Sequence, residues 1–451
     1  MTTPYRAGFT PVTEEITAFD LAVTGTIPAD LDGRYLRNGP NPLSLDDPQA
    51  GHLFLGEGMV HGVRLRDGRA EWYRNRWVRN AETARRLGEE PRPGPVAGGM
   101  DFAPNTHVIG LAGRTFATVE AGPLPYELTY ELETVGSCDF GGGLPGGFAA
   151  HTHLDPRTGE LHAIAYTWHW QHVQHLVLDA TGKVTQVRDV PMGDVAPMVH
   201  DFALTEKYVV IYDLPVVFSM EHAQRGTLLP YAWDEARPAR IGLLPRAGGD
   251  VRWVEVDPCW VFHTLNAYDD GDEVVVDAVR YPKRFVDARL DQGGLPTLDR
   301  WRIDVPSGKV SSTLLDGRPQ EFPRMDERLT GRAYRYGYTA AGGDLLDVVH
   351  ADDTGFEDLA DEAFDNTLIK HDLLAGTRES RRFSGYVGEP VFVGSGAAED
   401  DGYVMTYVNN PERGAADLVI LSAQDFTGTP LATVHLPARI PLGFHGSWVS
   451  G

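Results

Sequence analysis

The chain has 451 residues, of which 42% are hydrophobic, so it contains enough apolar material for a large buried core. Its 64 acidic residues outnumber 40 lysines and arginines and give a formal charge of -24, which argues against a nucleic-acid-binding protein because such a surface must be basic. The two cysteines, Cys138 and Cys259, form no Cys-x-x-Cys motif, which excludes a disulfide framework and disfavours a thiolate zinc site.

No targeting or membrane-spanning segment is visible in the sequence. The first residues, MTTPYRAGFTPVTEE, lack the charged and apolar regions of a secretory signal. No run of about 18 apolar residues occurs anywhere, so no spanning helix is expected. The few cysteines suit a reducing compartment, and we expect a cytoplasmic protein.

Short alternating or apolar runs, separated by turns that contain glycine, follow one another along the chain. In chain order they are MVHGVRLRDGRAEWYRNRWV from Met59, THVIGLAGRTFATVE, LHAIAYTW, HLVLDATGKVTQVRDV, KYVVIYDLPVVF, DEVVVDAVRY, WRIDVPSGKVSSTLL, GYVMTYVNN and DLVILSAQD. Strand, turn and strand at close spacing is typical of antiparallel hairpins. A short polar helix is predicted over residues 80–87. The sequence therefore predicts an all-β protein, and a propeller, a sandwich and several β domains all fit this local pattern.

No low-complexity linker or long block of like charge divides the chain. A linker between domains would be expected to differ in composition from the hairpins around it. We therefore predict a single domain over residues 1–451.

Four of the 16 histidines lie at apolar edges of predicted strands, namely His151, His200, His263 and His445. A lone histidine in such a place is usually a core residue bonded to backbone, whereas four at separate positions also suit a metal site with imidazole ligands. The residues alone leave both interpretations open. The histidines of WHWQHVQH, His169, His172 and His175, are interpreted as part of a polar strand and turn at the surface.

A series of ordered motifs narrows these alternatives. IPADLDGRYLRNGPNP and GEGMVHGVRLRDGRAEWYRNRWVR stand near the start, and AHTHLDPRTGEL, VHDFALTEKYVVIYDLP, FHTLNAYDDGDEVVVD, EFPRMDERLTGRAYRYGY, GEPVFV and GFHGSW follow in that order. In these motifs the chain resembles the carotenoid cleavage oxygenase family, from about residue 25 to the C-terminus. The resemblance implies a seven-bladed β-propeller with a dome of helices and loops over an axial metal site, and a short N-terminal arm over about residues 1–25.

The resemblance also implies the residues of the site. One Fe(II) per chain would be held by His151, His200, His263 and His445, and three glutamates, Glu120, Glu321 and Glu389, would bond to the outer ring nitrogens of three of these ligands. Thr106 matches a threonine that lies near an open iron position in several family members. Two positions depart from the family pattern: Thr152 stands where a proline is usual after the first ligand, and Glu57 replaces an aspartate.

The spacing of these residues agrees with blades. His151, His200, His263, Glu321, Glu389 and His445 are separated by 49, 63, 58, 68 and 56 residues, which is about one blade each. A propeller directs the inner strand of each blade at its axis, so residues far apart in sequence meet there.

The resemblance implies an O2-dependent dioxygenase that cleaves a C=C bond into two carbonyl products. Val119 stands where the stilbene-cleaving branch has a lysine, and no tyrosine lies between Tyr73 and Tyr126. We therefore expect an apolar tunnel for a carotenoid or apocarotenoid, with a phenylpropanoid or stilbene-type alkene as the alternative and a non-catalytic polyene-binding propeller as a third hypothesis. Phe54, Trp168, Trp170, Tyr212 and Phe262 are candidates for the tunnel lining or the core.

The expected partners follow from this substrate class. An apolar alkene and O2 are the expected small-molecule partners, and no nucleic acid or obligate protein partner is expected. Because polyenes reside in membranes, we expect an apolar patch at the tunnel mouth and peripheral membrane contact there.

Overall fold

A computed structural model describes residues 10–44, 54–194, 197–288, 293–341 and 366–451 of the chain, which form 32 strands and two short α-helices. The first strands are β1 (Thr17–Phe19), β2 (Val23–Gly25), β3 (Gly33–Pro40), β4 (Gly58–Arg66), β5 (Arg69–Trp77), β6 (His107–Leu111), β7 (Arg114–Thr118), β8 (Tyr126–Leu128), β9 (Thr134–Ser137), β10 (Thr152–Asp155), β11 (Glu160–Ala165), β12 (His172–Leu178), β13 (Val184–Pro191), β14 (Phe202–Leu204), β15 (Tyr208–Asp213) and β16 (Val216–Phe218).

The remaining strands and the helices complete the described secondary structure. The strands are β17 (Tyr231–Trp233), β18 (Arg240–Pro245), β19 (Arg252–Glu255), β20 (Trp260–Asp270), β21 (Glu273–Tyr281), β22 (Thr297–Asp304), β23 (Val310–Asp316), β24 (Gln320–Arg324), β25 (Tyr336–Ala341), β26 (Thr367–Asp372), β27 (Thr377–Arg382), β28 (Val391–Gly394), β29 (Gly402–Asn410), β30 (Ala415–Ser422), β31 (Ala432–His435) and β32 (Gly446–Ser450). The helices are α1 (Ala81–Arg86) and α2 (Met220–Gln224), and a 3-10 turn covers Glu327–Leu329.

Seven antiparallel sheets are the blades of a propeller. Their strand orders are β32-β3-β4-β5-β1, β6-β7-β8-β9, β10-β11-β12-β13, β14-β15-β18-β19, β20-β21-β22-β23, β24-β25-β26-β27 and β28-β29-β30-β31-β2. A further pair of strands, β16 and β17, forms a separate two-stranded sheet in the segment that connects β15 to β18 of the fourth blade. The all-β, seven-bladed prediction is confirmed.

Local sequence explains the tight hairpins. Between β4 and β5 the turn residues Asp67 and Gly68 have φ of 49° and 70°, and between β6 and β7 Ala112 and Gly113 have φ of 52° and 71°. Two consecutive residues of positive φ match the right-handed twist of the flanking strands, and glycine supplies this conformation at little cost.

Strands from the two ends of the chain close the ring. β32 pairs with β3 in the first blade, so the C-terminal strand is its innermost member. β2 pairs with β31 as the outer strand of the seventh blade, and β1 adds to β5 at the outer edge of the first. The first two described strands and the last one are thereby part of these sheets, and each of the two blades has five strands.

The core lies between neighbouring blades. Trp260, Trp301, Tyr281 and Phe285 are among the largest fully buried side chains and pack in one cluster that spans the third to fifth blades. Burial of such a side chain stabilises the fold by roughly 1.5–3 kcal/mol. The propeller is thus held by blade-to-blade apolar contact rather than by a single central core.

The predicted helix over 80–87 is present as α1. Asn80 is its N-cap and accepts a hydrogen bond from the amide of Thr83, and Leu87 is its C-cap. Residues of α1, β16 and β17 and of the loop before β17 line one cavity together with three of the predicted histidines, so these elements cover the histidines on that side. None of the helices among the described residues has the length and apolarity needed to cross a membrane.

One interpretation of the sequence is wrong in part. His175 lies in β12 and is only 2% exposed, and its Nε2 is 3.0 Å from Nδ1 of the buried His162. Both faces of β12 are buried from Val173 to Leu178, whereas His172 at the start of the strand is partly exposed.

Candidate metal centre

Every blade contributes one predicted residue to the axis. The innermost strands β6, β10, β14, β20, β24, β28 and β32 lie next to one another around it. The predicted residues stand in or just before these strands and are Thr106, His151, His200, His263, Glu321, Glu389 and His445. Glu120 is the exception, because it follows β7, the second strand of its blade.

Irregular pairing re-aims the two residues that lie inside a strand. The β20–β21 register shifts between Val261 and Thr264, on either side of His263. The β24–β25 register shifts between Glu321 and Arg324. A bulge turns a side chain out of the normal alternation, which is why such irregularities are frequent beside functional sites.

The four predicted histidines converge on one point. Nε2 of His200 lies 3.0 Å from Nε2 of His151 and 3.2 Å from Nε2 of His263, and Nε2 of His263 lies 3.1 Å from Nε2 of His445. All four ligand atoms lie within 4.8 Å of one another. Two nitrogens that each bind one ion at about 2.1 Å and at right angles would lie about 3 Å apart.

Three of these imidazoles are held from behind by glutamates. Nδ1 of His200 is 2.9 Å from Oε2 of Glu120, Nδ1 of His263 is 2.6 Å from Oε2 of Glu321, and Nδ1 of His445 is 2.9 Å from Oε1 of Glu389. An ionised carboxylate can only accept, so in each pair Nδ1 carries the proton and donates it. Such a carboxylate fixes both the tautomer and the ring orientation of a metal-binding histidine.

The positions of the protons on the imidazole rings show that this arrangement fits a metal ion. With the proton on Nδ1, Nε2 of a neutral imidazole is a bare lone pair. The Nε2 atoms of His200, His263 and His445 therefore have no proton to share, although neighbours lie within 3.2 Å. A cation between them removes the repulsion. Imidazole nitrogens suit several divalent transition metals, so the donor set by itself fits more than one ion.

A further layer of donors holds the glutamates. The hydroxyl of Tyr166 donates to Oε2 of Glu120 at 2.6 Å, and that of Tyr281 donates to Oε1 of Glu321 at 2.8 Å. These tyrosines are absent from the sequence-based site. Each stands at or just beyond the end of the second strand of its blade, without a motif of its own, which is why no sequence signal found them.

Glu389 has an arginine instead of a tyrosine. Nη1 of Arg324 donates to Oε2 of Glu389 at 2.9 Å and to the carbonyl of Gly446 at 2.9 Å, and the amide of Gly446 donates to the same carboxylate oxygen at 2.8 Å. Arg324 follows Glu321 by three residues in EFPR, and this proximity was the available signal.

Electrostatics keep the three carboxylates ionised in spite of their burial. Burial raises the pKa of Glu389, but the charges of Arg324 and His445 outweigh it and hold that pKa well below its usual range. For Glu120 and Glu321, burial is likewise outweighed by the facing histidine and the hydrogen bonds, and the pKa of each is lowered. Burial and the neighbouring imidazoles lower the pKa of His151, so this ring is neutral.

Left-handed backbone follows two of the glutamates. Ala121, after Glu120, has φ of 66°, and Phe322, after Glu321, has φ of 54°. Non-glycine residues in this region are strained by about 1–3 kcal/mol each and persist where the surroundings impose them. At Phe322 the turn also lets its own amide donate to Oε2 of Glu321 at 2.6 Å.

His151 differs from the other three histidines. Among the described residues it has no carboxylate partner. It borders a second cavity of about 400 Å³, which His263 and His445 also line, and it is the one of the four that does not line the larger cavity. That cavity is lined by polar groups that include His107, His153 and Arg324. The centre therefore lies between two cavities of different character.

The larger cavity, of about 640 Å³, is mainly apolar and meets the centre at Thr106, His200, His263 and His445. Its apolar lining consists of Phe54, Leu55, Phe102, Ala103, Val119, Ala121, Trp168, Phe218, Leu228, Leu229, Pro230, Phe262, Phe322 and Phe444. The candidates Phe54, Trp168 and Phe262 line it. Trp170 and Tyr212 do not: Trp170 stacks on His172, and Tyr212 is buried in the core.

Thr106 is oriented by its neighbour. Its hydroxyl donates to Oδ1 of Asn105 at 3.1 Å. The side-chain nitrogen Nδ2 of Asn105 donates to the carbonyls of Phe54 and Gly56 at 3.0 and 2.8 Å. Asn105 thus links the segment of Phe54 and Gly56, which borders the larger cavity, to Thr106 beside the four histidines. The carbonyl of Thr106 also accepts from the amide of His445 at 3.1 Å.

Comparisons with known proteins agree with the fold and the centre. The sequence model of the family described as retinal pigment epithelial membrane protein matches residues 9–450. A carotenoid cleavage oxygenase of Mycobacterium tuberculosis is 44% identical, over 99% of this chain and 97% of its own. An isoeugenol monooxygenase of Pseudomonas nitroreducens is 31% identical, over 97% and 96%. The structure of a cobalt-substituted Synechocystis apocarotenoid oxygenase superposes with a TM-score of 0.83 at 28% identity, over 98% of both chains.

Proposed function

Because the chain belongs to the family described as retinal pigment epithelial membrane protein, the carotenoid oxygenase family, we propose that it cleaves a C=C bond of a carotenoid or apocarotenoid with O2 at a non-haem Fe(II) centre. The chain is an oxidoreductase of the double-bond-cleaving dioxygenase type. The observation that carries the proposal is the group of four converging imidazoles at the end of a large apolar cavity.

The proposed ligands are His151, His200, His263 and His445. The cobalt-substituted relative supports the presence of a metal in this chain, and four nitrogen ligands suit ferrous iron. When bound by these four histidines, Fe(II) would supply the redox chemistry by which O2 reacts with an alkene. We propose one ion per chain.

Glu120, Glu321 and Glu389 are proposed to act through the histidines. Each keeps a proton on Nδ1 and so presents the Nε2 lone pair of its histidine to the centre. Together they supply negative charge that four neutral imidazoles cannot supply. Thr106, fixed by Asn105, is proposed to restrict the space beside the centre in which O2 binds.

The cavity suits an extended apolar substrate. Its aromatic and aliphatic lining excludes water and holds a polyene by contact rather than by charge. The ring of Phe322 stacks on His263 at 5.5 Å and that of Phe444 packs beside His445, so apolar surface reaches the centre itself. The overall reaction places one oxygen atom in each of two carbonyl products, so no additional reductant is consumed.

A second candidate substrate is a phenylpropanoid or stilbene-type alkene. The isoeugenol monooxygenase among the relatives favours it, since its name gives it such a substrate. Against it, Val119 lines the cavity next to Glu120, where a lysine would be needed to ionise a phenol.

Three apolar side chains of the cavity lining are also exposed, and we call them the apolar rim. Phe102, Trp168 and Leu228 line the cavity and are 46%, 42% and 43% exposed. We propose that this rim contacts a membrane surface from which a polyene enters, and that the protein is otherwise cytoplasmic. The formal charge of -24 predicts that this contact is apolar and gains little from anionic lipids.

The proposal is tested by aerobic incubation of iron-loaded protein with a panel of polyenes and styrenyl phenols, with products identified by mass in ¹⁸O2. The expected result is a pair of carbonyl products from an apocarotenoid or carotenoid, each with one labelled oxygen after correction for exchange with water. Cleavage of phenolic alkenes alone would favour the second candidate. No product from any alkene would contradict both.

A further inference from the structure

We propose that Asn38 is a positioning residue for the reaction, because it joins the segment that carries Thr106 to the segment that carries the proposed ligand His445. The residue lies in β3, the second strand of the first blade, and lines neither of the two cavities. It therefore acts on the centre through these two neighbours. The inference rests on the proposed function, since it gives Asn38 a part in the same reaction.

Thr106 and His445 stand on neighbouring blades, which are separate sheets. β32 begins directly after His445, and β6 begins directly after Thr106. These two innermost strands pack side by side around the axis, but each is paired only within its own sheet. The position of Thr106 relative to His445 therefore depends on hydrogen bonds outside the regular sheets.

The side chain of Asn38 binds the second blade with both of its amide protons. Nδ2 donates to the carbonyl of Pro104 at 2.9 Å and to that of His107 at 3.0 Å, and these two residues flank Thr106 in the chain. Oδ1 accepts from the amide of Gly39 at 2.9 Å. Both donors and the acceptor of this side chain are thus used, and the residue is 0% exposed.

The backbone of Asn38 binds the segment that carries the ligand. Its amide donates to the carbonyl of His445 at 3.0 Å, and its carbonyl accepts from the amide of Phe444 at 3.0 Å. A Cβ atom on Gly39 would lie 2.6 Å from Cα of Gly443. The two segments are therefore in direct backbone contact, with no room for a side chain between them.

A third contact completes the arrangement. The amide of His445 donates to the carbonyl of Thr106 at 3.1 Å, so Asn38, Thr106 and His445 are each hydrogen-bonded to the segments of the other two. A buried network of this kind is rigid when all its members are satisfied. Loss of the two donors of Asn38 should loosen Thr106 relative to His445 and leave the four imidazoles in place.

This role predicts a specific pattern of effects. A misplacement of about 1 Å at a reacting centre can lower the rate about 10²-fold. Because Asn38 lines neither cavity, its loss should lower kcat with little change in KM. A residue that only stabilises the fold would change the melting temperature and leave both kcat and the geometry of the centre unchanged.

Asn75 in β5 of the same blade provides a matched control. It is also 0% exposed, its Nδ2 donates to the carbonyl of Glu14 at 3.0 Å, and its Oδ1 accepts from the amide of Ile16. It lines neither cavity and contacts neither Thr106 nor His445 through these hydrogen bonds. Asn75→Asp is therefore expected to lower the melting temperature without changing turnover.

The test compares wild type, Asn38→Asp and Asn75→Asp, each loaded with iron for kinetics on a polyene and with cobalt for visible absorption spectra. Aspartate keeps the size of the side chain, but an ionised carboxylate cannot donate to the two carbonyls. We expect Asn38→Asp to bind one cobalt per chain with an altered spectrum, and to lower kcat about 10- to 100-fold with KM within about threefold. Asn75→Asp should keep the wild-type spectrum and kcat.

Asn38→Ser is a milder variant, because its hydroxyl retains one donor. It should change the cobalt spectrum and kcat in the same direction as Asn38→Asp, by a smaller amount. A wild-type spectrum and kcat in Asn38→Asp would overturn the positioning role, as would equal changes in Asn75→Asp or a failure of both Asn38 variants to fold. If the wild type cleaves no alkene, the proposed function fails, while the cobalt spectra still decide whether Asn38 positions the ligands.

Discussion

Two groups of histidines in this propeller show similar nitrogen–nitrogen distances and different chemistry. In the third blade, Nδ1 of His162 lies 3.0 Å from Nε2 of His175, as close as His151 and His200 at the axis. Arg246 lies 3.3 Å from Nε2 of His162, and an arginine can only donate. His162 therefore carries its proton on Nδ1 and donates it to His175.

The difference lies in what holds the outer nitrogens. In the blade pair, Arg246 sets the position of the proton, so the two facing nitrogens are a donor and an acceptor and need no metal ion between them. At the axis, glutamates take the protons of three imidazoles and leave bare lone pairs that face one another. Proximity of histidines thus does not make a metal site, whereas carboxylates behind them do.

The largest expected effect separates the two groups directly. His445→Ala should abolish iron retention and lower turnover by at least about 10³-fold, because it removes a ligand and one of the three groups that donate to the buried Glu389. His175→Ala should leave the iron content unchanged. Both variants are compared by metal analysis of purified protein and by product formation. Normal turnover in His445→Ala would contradict the assignment.

The glutamates provide the next contrast. Glu321→Gln should weaken iron binding about 10- to 100-fold, because a neutral amide no longer fixes the tautomer of His263. Glu160→Gln is the matched control, since Glu160 lies 3.8 Å from Nε2 of His162 in the blade pair and is 37% exposed. Iron affinity measured by competition with a chelator should fall in the first variant alone. Equal affinities would show that the carboxylate is dispensable.

The stability of the protein at acid pH should depend on the pair His162 and His175. Burial first, and then nearby positive charge, lowers the pKa of His162 to about 3 and that of His175 to about 4. Below about pH 6.5 these two histidines bind protons in the unfolded chain but stay neutral in the native protein. They therefore lower the free energy of unfolding as the pH falls toward 4. His175→Gln should reduce this loss by up to about 1.4 kcal/mol per pH unit. Denaturant unfolding of metal-free protein from pH 7 to 5 measures it, and an unchanged slope would contradict the account.

The smallest effect is expected for a tyrosine that donates a hydrogen bond to one of the glutamates. Tyr281→Phe removes a 2.8 Å hydrogen bond to Glu321 but leaves the carboxylate in contact with His263, so iron affinity should fall less than tenfold. The chelator competition used for Glu321→Gln gives the comparison. A loss as large as that of Glu321→Gln would mean that the tyrosine, rather than the carboxylate, controls the ligand.

Much of the fold could be predicted because it is encoded locally. The long hairpins alternate over eight or more residues, and their turns carry the glycines that positive φ requires. Strands of three residues, such as β1 and β2, are too short to show alternation. The pairing of β32 with β3 joins opposite ends of the chain, which no local pattern reveals. The assignment of residues 1–451 to one domain, with an arm over about 1–25, stays a prediction.

The candidate site could be predicted only where motifs mark it. The four histidines and three glutamates stand in motifs, and the structure brings them together. Tyr166 and Tyr281 reach the glutamates through the geometry of neighbouring blades, which is a tertiary property. His175 is buried because both faces of β12 are covered by neighbouring parts of the fold, which is a tertiary property that the polar sequence WHWQHVQH does not reveal.

The central claim is that strands from separate blades hold one ferrous ion with four imidazoles. Anomalous diffraction from crystals of iron-loaded protein, recorded on both sides of the iron absorption edge, tests it most directly. The account predicts one iron peak per chain within bonding distance of Nε2 of His151, His200, His263 and His445. A peak elsewhere, or four imidazoles that surround no ion in protein shown to contain iron, would contradict it.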